Sequence, residues 1–175
     1  MRRFWCLLAL VALLAAGCAP VLAPPGTTVE RVDLVRYAGP WYEIASTQPW
    51  FQRGCVCTMA QYLLHGDELV VQNTCRDGGP EGDLRRATGR GRALEGGDGA
   101  QLAISFWWPW EAGYWILALD PDYRWAVVGA PSQDHLWVLS RQRTMDPAEY
   151  LRAVAIARDK GWPADRLVLT EQPCP

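Results

Sequence analysis

Eight short runs of β-branched and aromatic residues, each ended by a turn signal, constrain the fold of this chain most. The turn signals combine glycine, proline and aspartate, as in Asp120-Pro121-Asp122 and in the glycine-rich segment 95–99. Short runs at hairpin spacing are typical of antiparallel all-β folds. The predicted strands cover residues 41–48, 56–64, 67–75, 84–94, 100–107, 113–119, 124–129 and 135–141. We therefore expect an eight-stranded up-and-down barrel or a sandwich.

One helix is well marked near the C-terminus. Asp146 can cap its first turn, Pro147 suits the first helical position and Glu149 completes a capping-box pattern. Apolar residues then follow at helical spacing until Gly161, which ends the helix. A short ninth strand is predicted over residues 167–170.

The run at 84–94 alternates small residues with polar ones. Successive side chains of a strand point to opposite faces, so the arginines lie outside and the small residues inside. The small residues are Ala87, Gly89, Gly91 and Ala93. A packed core would place Val, Ile or Leu at these positions. Two explanations stay open: an edge strand weakened by glycine, or one wall of a ligand cavity.

The N-terminal segment has the pattern of an export signal. Two arginines precede an apolar run over 4–16 that is too short to span a bilayer and continue as a domain. Small residues come directly before Cys18, and this arrangement resembles the lipobox of bacterial lipoproteins, in which the cysteine becomes an acylated N-terminus. The alternative is a plain secretory signal cleaved nearby. We predict a signal peptide over 1–17, a lipidated tether over 18–30 and a folded domain over 31–175.

The residue after Cys18 indicates to which membrane a lipoprotein of this kind is sorted. Ala19 is not acidic, and lipoproteins without an acidic residue at this position are sorted to the outer membrane. The resemblance therefore implies a chain anchored through acyl groups such as palmitate at the bacterial outer membrane, on its periplasmic side.

Four cysteines remain in the predicted mature chain: Cys55, Cys57, Cys75 and Cys174. An even number in an exported chain favours two disulfides, for which three pairings are possible. The CxC spacing and only two histidines argue against a metal site. A formal charge of −2 gives no basic surface for nucleic acid. We find no catalytic set, phosphate loop or dinucleotide fingerprint, so neither an enzyme nor a cofactor is predicted.

Three motifs, in order, resemble the signatures of the lipocalin family. They read GPWYEIA at 39–45, DPDYRWA at 120–126 and LWVLSR at 136–141. The resemblance runs from about Val32 to the end and is strongest to bacterial outer-membrane lipocalins and to apolipoprotein D. It implies an eight-stranded antiparallel up-and-down β-barrel with one closed and one open end, a C-terminal α-helix and a short ninth strand.

The resemblance assigns structural roles to the signature residues. It implies that Trp41 closes the barrel floor and that Arg141 packs against it through a cation–π contact. Gly39 and Tyr123 belong to the same signatures. None of these four residues is expected to contact a ligand.

The resemblance also implies one disulfide. In apolipoprotein D, a cysteine five residues before a strand tyrosine pairs with the C-terminal cysteine, and Cys57 precedes Tyr62 by the same spacing. This favours Cys57–Cys174. If the hairpin turns at residues 65–66, Cys55 lies nearly opposite Cys75 on the neighbouring strand. The swapped pairing, in which Cys55 bonds to Cys174 and Cys57 to Cys75, stays open.

Strand parity and the resemblance together predict an apolar, aromatic ligand site. Side chains that share a face with Trp41 or Arg141 point inward, as does the apolar half of the run at 100–107. The predicted ligand-binding residues are Glu43, Ala45, Tyr62, Leu102, Ile104, Phe106, Trp137 and Leu139. This lining suits a fatty acid, a lysophospholipid or a similar apolar molecule, bound by a monomer or homodimer for lipid storage, transport or envelope maintenance.

Two other hypotheses compete with lipid binding. The first is a lipocalin-fold enzyme, isomerase or de-epoxidase-like, that acts on a lipophilic substrate with a free thiol or with Glu43. The second is a scaffold whose barrel is filled by its own side chains, since the chain has ten tryptophans.

Two aromatic loops flank the predicted open end. The loop at 48–54 contains Trp50 and Phe51, and the loop at 107–113 contains Trp108 and Trp110. Tryptophan favours membrane interfaces because its ring is apolar while its N–H is polar. Either these rings plug the mouth or line the upper cavity, or they contact the bilayer so that lipid can pass into the barrel.

Overall fold

The computed structural model describes residues 21–66 and 68–174. The predicted signal peptide and Cys18 lie outside these residues. The strands are β1 (Gly39–Ser46), β2 (Cys55–His65), β3 (Glu68–Asp77), β4 (Leu84–Ala93), β5 (Gln101–Trp107), β6 (Trp110–Leu119), β7 (Trp125–Gly129), β8 (Leu136–Ser140) and β9 (Val168–Leu169). The helices are α1 (Leu34–Tyr37) and α2 (Pro147–Asp159), and the 3₁₀ segments are Trp50–Gln52 and Ala164–Arg166.

The eight long strands form a closed antiparallel barrel. Each strand from β2 to β8 pairs with the next, and β1 pairs with both β8 and β2. This confirms the up-and-down barrel and excludes the sandwich. The helix and the ninth strand also occur where the sequence predicts them, and Asp146 caps α2 by accepting from the backbone N–H groups of Ala148 and Glu149. No helix in the described part of the chain is long and apolar enough to cross a membrane.

A tryptophan and an arginine close the lower end of the barrel. Trp41 is fully buried, and the guanidinium carbon of Arg141 lies 3.9 Å from the centre of its ring. Arg141 also donates to the carbonyl oxygens of Arg36 and Pro40, at 2.7 and 2.9 Å. Gly39 has a φ of +100°, and a Cβ there would come 3.2 Å from Nη1 of Arg141. Glycine is therefore required where the arginine crosses the chain.

Tyr123 completes this closed end. Its hydroxyl accepts a hydrogen bond of 2.9 Å from the backbone N–H of Asp33, and the guanidinium of Arg36 lies 4.1 Å from the centre of its ring. The second signature thus holds α1 against the floor of the barrel.

Helix α2 covers the outer face of β6, β7 and β8. Ala153 and Ala157 are fully buried there, in a cluster that includes Trp115 and Trp125. Ala45 belongs to the same outer cluster, which corrects the expectation that it lines the cavity. The register between β1 and β8 shifts between Glu43 and Ala45, and this bulge reverses the parity of the residues that follow.

The C-terminal segment fills the upper gap between β1 and β2. These strands pair only over residues 39–42 of β1, and above that point β9 pairs with β1 instead. The backbone N–H of Cys57 donates to the carbonyl oxygen of Glu171 at 2.7 Å. A disulfide joins Cys57 to Cys174, and a second joins Cys55 to Cys75, so the structure does not have the swapped pairing.

Candidate functional site

The barrel interior brings six predicted ligand-binding residues together. Tyr62, Leu102, Ile104 and Leu139 are buried in one cluster, against which Phe106 and Trp137 pack while partly buried. Of the described tryptophans, only Trp41 and Trp137 belong to this cluster. Tryptophan side chains therefore do not fill the barrel, and the lining combines aliphatic side chains with phenol rings.

Three buried tyrosines provide the polar groups of this interior. The hydroxyl of Tyr62 donates to that of Tyr114 at 2.8 Å, and the hydroxyls of Tyr114 and Tyr37 lie 2.7 Å apart. Burial raises the pKa of all three phenols above the usual value for tyrosine. All three therefore stay protonated at neutral pH. This triad consists of Tyr37, Tyr62 and Tyr114.

The triad has one hydroxyl hydrogen more than it uses. Each phenol carries one O–H donor, and the two hydrogen bonds among the three rings use two of these hydrogens. No other described residue accepts from these hydroxyls. The interior thus offers one hydrogen-bond donor, surrounded by apolar side chains, to an oxygen atom of a ligand.

Two members of the triad were not predicted from the sequence. Tyr114 lies opposite Leu102 in the register of β5 and β6, and it shares strand parity with the buried Ile116. The alternation of β6 therefore carried a usable signal. Tyr37 is the last residue of the short helix α1. A helix of four residues is too short to be recognised from the periodicity of the sequence.

Glu43 forms a second polar cluster, higher in the barrel. Gln52 donates to one carboxylate oxygen at 2.8 Å, and Thr170 donates to the other at 2.6 Å. Gln52 also accepts from the indole N–H of Trp137 at 2.9 Å. Burial raises the pKa of Glu43 above its ordinary value, although the hydrogen bonds from Thr170, Gln52 and Ser46 oppose the shift. Glu43, predicted as a ligand-binding residue, thus hydrogen-bonds to Gln52, a loop residue that the sequence did not single out.

The glycine-rich face of β4 is covered by side chains of β5. Gly89 and Gly91 are buried, whereas Ala87 and Ala93 are exposed. A Cβ on Gly89 would come 3.0 Å from two ring carbons of Phe106, and Ile104 lies similarly close to Gly91. The expected empty space is therefore occupied in this structure, because neighbouring larger residues pack over the glycines.

The seam between β4 and β5 is short. Only residues 90–93 of β4 pair with β5, whereas the eight residues 84–91 pair with β3. A groove of about 620 Å³ opens at this seam, and its lining includes Arg90, Arg92, Phe106 and Trp108. Phe106 thus lies between the groove and the interior cluster.

The aromatic loops at the open end are exposed. Trp50, Trp108 and Trp110 have 72, 90 and 77% of their surface accessible, so these rings do not plug the mouth, and Trp108 lines the groove at the β4–β5 seam. Phe51 is less exposed, and its ring contacts His135, which in turn contacts Trp137.

The described residues lack the free thiol that one form of the enzyme hypothesis requires, whereas Glu43, on which the other form relies, is present. Each of their four cysteines is in a disulfide, so this part of the chain has no free thiol. It also has no cluster of His, Cys, Asp or Glu that could hold a metal ion.

Comparisons with known proteins agree with this architecture. A family model described as "Lipocalin-like domain" matches residues 32–172. The outer membrane lipoprotein Blc of Citrobacter freundii is 36% identical over 166 residues, which cover 93% of this chain and 92% of that protein. Apolipoprotein D of Bos taurus is 27% identical and covers 82% of the chain and 78% of its own length. Insecticyanin from the tobacco hornworm Manduca sexta superposes with a TM-score of 0.68 at 18% identity and covers 87% of both chains.

Proposed function

Because the chain belongs to the lipocalin family, we propose that it is a membrane-anchored lipocalin that binds one fatty acid, lysophospholipid or similar apolar ligand inside its barrel. The anchor is an acylated Cys18 at the periplasmic side of the bacterial outer membrane, and the role is lipid storage, transport or envelope maintenance. The name of the bacterial relative, an outer membrane lipoprotein, supports this location.

The single observation that carries this proposal is the spare donor of the tyrosine triad. An acyl chain can pack against Leu102, Ile104 and Leu139 while its carboxylate or ester oxygen accepts from a phenol. Burial of ten methylene groups would contribute about 8 kcal/mol before the cost of ordering the chain. A neutral donor suits this position because a buried cation would pay a large desolvation penalty.

Ligand entry requires movement of Phe106. Its ring lies on Gly89 and is only partly buried. Rotation about its side-chain bonds can clear the space over the glycines without a change in the barrel backbone. The small residues of β4 then provide room that larger side chains would remove.

A binding titration tests the proposal. The mature chain, produced without residues 1–17 and with Cys18→Ser so that it carries no acyl groups, is titrated with a fluorescent fatty acid. We expect saturable binding of one ligand, and about tenfold weaker binding when Tyr37, Tyr62 and Tyr114 are all replaced by Phe, because the hydrogen bond to the ligand is then lost. Tyr150→Phe is the matched control, since Tyr150 lies on α2 outside the barrel. Absence of saturable binding would overturn the proposal.

A further inference from the structure

One side of the barrel carries three features that fit a bilayer surface. We call this side the β4–β6 wall, and it consists of the outer face of β4, the upper end of β5 and the hairpin between β5 and β6; Gln101 and Ala103, on the lower outer face of β5, are buried. The features are the entry of the N-terminal tether, a group of exposed tryptophans and a row of arginines.

The N-terminal segment enters along this wall at its lower end. The backbone N–H of Ala23 donates to Oε1 of Gln101, the first residue of β5, at 2.6 Å. The side chain of Leu22 lies 3.8 Å from the Cβ position of Gly96, in the loop between β4 and β5. Cys18 is the fourth residue before Leu22, so the chain can carry it at most about 14 Å away.

The tryptophans stand at the upper end of the same wall. Trp107, Trp108 and Trp110 of the β5–β6 hairpin are 74, 90 and 77% exposed. Gln101 and Trp107 are the two ends of β5, about 20 Å apart along the strand. If the barrel stood with its open end on the bilayer, the tether would be too short to bring Cys18 to the bilayer surface that the tryptophans contact. If the barrel lies on this wall, Cys18 and the tryptophans can contact the same bilayer surface.

The arginines occupy the wall between the tether and the tryptophans. Arg86, Arg90 and Arg92 alternate with smaller residues on the outer face of β4. The side chains of Arg90 and Arg92 are 80 and 52% exposed and pair with Glu68 and Glu111 at 3.3 and 3.0 Å. Positive charge is concentrated along β4, whereas Glu95 and Asp98 lie in the loop at the lower end of the wall. The guanidinium groups along β4 can donate to the phosphate groups of a lipid surface.

The opposite side of the mouth carries a second exposed aromatic group that serves as an internal comparison. Trp50 follows β1, which lies four strands from β5 in the ring of eight, and the ring of the next residue, Phe51, contacts His135 beside β8. Arg85 of β4 also reaches this loop and donates to the carbonyl oxygen of Phe51 at 2.8 Å. Trp50 is 72% exposed, about as much as Trp110. A barrel that stands mouth-down would bring both groups to the bilayer, whereas one that lies on the β4–β6 wall would bring only the hairpin.

We propose that the β4–β6 wall lies on the bilayer that holds the acylated Cys18, so that the groove at the β4–β5 seam faces the lipid. This inference rests on the proposed lipid anchor. In this orientation lipid reaches the interior sideways, past Phe106, and the mouth at the top of the barrel is not the route of entry.

Fluorescence quenching in vesicles tests this orientation. The full lipidated chain is reconstituted into phospholipid vesicles, and an environment-sensitive dye is attached to one added cysteine: Thr88→Cys on the wall, Trp108→Cys on the hairpin, Trp50→Cys across the mouth or Leu151→Cys on α2. All four positions are exposed. A quencher attached to the lipid should remove about half or more of the signal at Thr88 and Trp108, since interfacial groups sit about 5–10 Å into the headgroup boundary.

Trp50 and Leu151 should keep their signal. Equal quenching at Trp50 and Trp108, with none at Thr88, would show a mouth-down barrel and overturn the inference, as would no quenching at any position. Flotation of the vesicles and a fatty-acid titration of the same samples separate the two proposals. Protein that floats and binds ligand but leaves Thr88 unquenched refutes only the orientation, whereas protein that does not float refutes the anchor and the orientation together.

Discussion

The ring of Phe106 lies directly against Gly89, so closely that a Cβ on the glycine would come 3.0 Å from Cδ1 and Cε1 of the ring. The same Cβ would come 3.0 Å from the carbonyl oxygen of Ser105, which belongs to the backbone and cannot rotate away. The position of the Phe106 ring, which separates the groove from the interior, therefore depends on a glycine at position 89 of β4.

Gly89→Ala should lower the free energy of unfolding by about 1–2 kcal/mol, because the added methyl overpacks this contact. Gly79→Ala is the matched control, since no atom lies within 4 Å of a Cβ there. The control should be neutral or stabilise the fold by about 0.4–1 kcal/mol through the unfolded chain. Urea unfolding measures the change in unfolding free energy for both variants. Equal changes would contradict a tight contact between Gly89 and Phe106.

Arg141→Lys should destabilise the barrel by about 2–3 kcal/mol. Lysine keeps the charge but loses the planar guanidinium that stacks on Trp41 and reaches the carbonyls of Arg36 and Pro40 at once. Arg152→Lys, on the exposed face of α2, is the control and should change little. Thermal unfolding followed by near-ultraviolet circular dichroism reports both the stability and the packing of Trp41.

The two disulfides should contribute unequally. Cys57–Cys174 spans 117 residues and Cys55–Cys75 spans 20. In the chain-entropy model these spans correspond to about 5 and about 3 kcal/mol. The double serine variant of the long disulfide should therefore lose more stability in urea than that of the short one. The reverse order would show that the C-terminal segment stays packed between β1 and β2 without the Cys57–Cys174 disulfide.

Glu43 should make stability depend on pH. Burial raises its pKa, so over the range between the ordinary value for glutamate and the raised value the folded state binds more protons than the unfolded state. Its contribution to stability is complete below the ordinary pKa and is lost as pH rises through the raised one. The difference in unfolding free energy between wild type and Glu43→Gln should fall as pH increases from about 4. A constant difference would mean that the pKa is not raised.

Much of the fold could be predicted because local signals and tertiary structure agree. The turn residues set the strand limits, and the capping pattern at Asp146 set the start of α2. The roles of Trp41 and Arg141 at the floor followed from the family signatures and occur as direct contacts.

The remaining features depend on contacts between distant residues. Ala45 changes sides because of a bulge that only the pairing with β8 defines. The space over Gly89 is taken by Phe106, a residue of the next strand. Gln52 reaches Glu43 from a loop, and no periodicity describes a loop residue. Strand parity gives the face of a side chain but not which neighbour fills the space in front of it.

The central claim is that an apolar ligand occupies the barrel interior beside the tyrosine triad. Crystals of the Cys18→Ser chain grown with a fatty acid that carries bromine atoms on its chain test it most directly, because anomalous scattering locates bromine independently of the protein. We predict bromine peaks among Leu102, Ile104 and Leu139, with a carboxylate oxygen within hydrogen-bond distance of a hydroxyl group of the tyrosine triad. Peaks only on the outer surface, or an interior still filled by Phe106 at saturating ligand, would contradict the account.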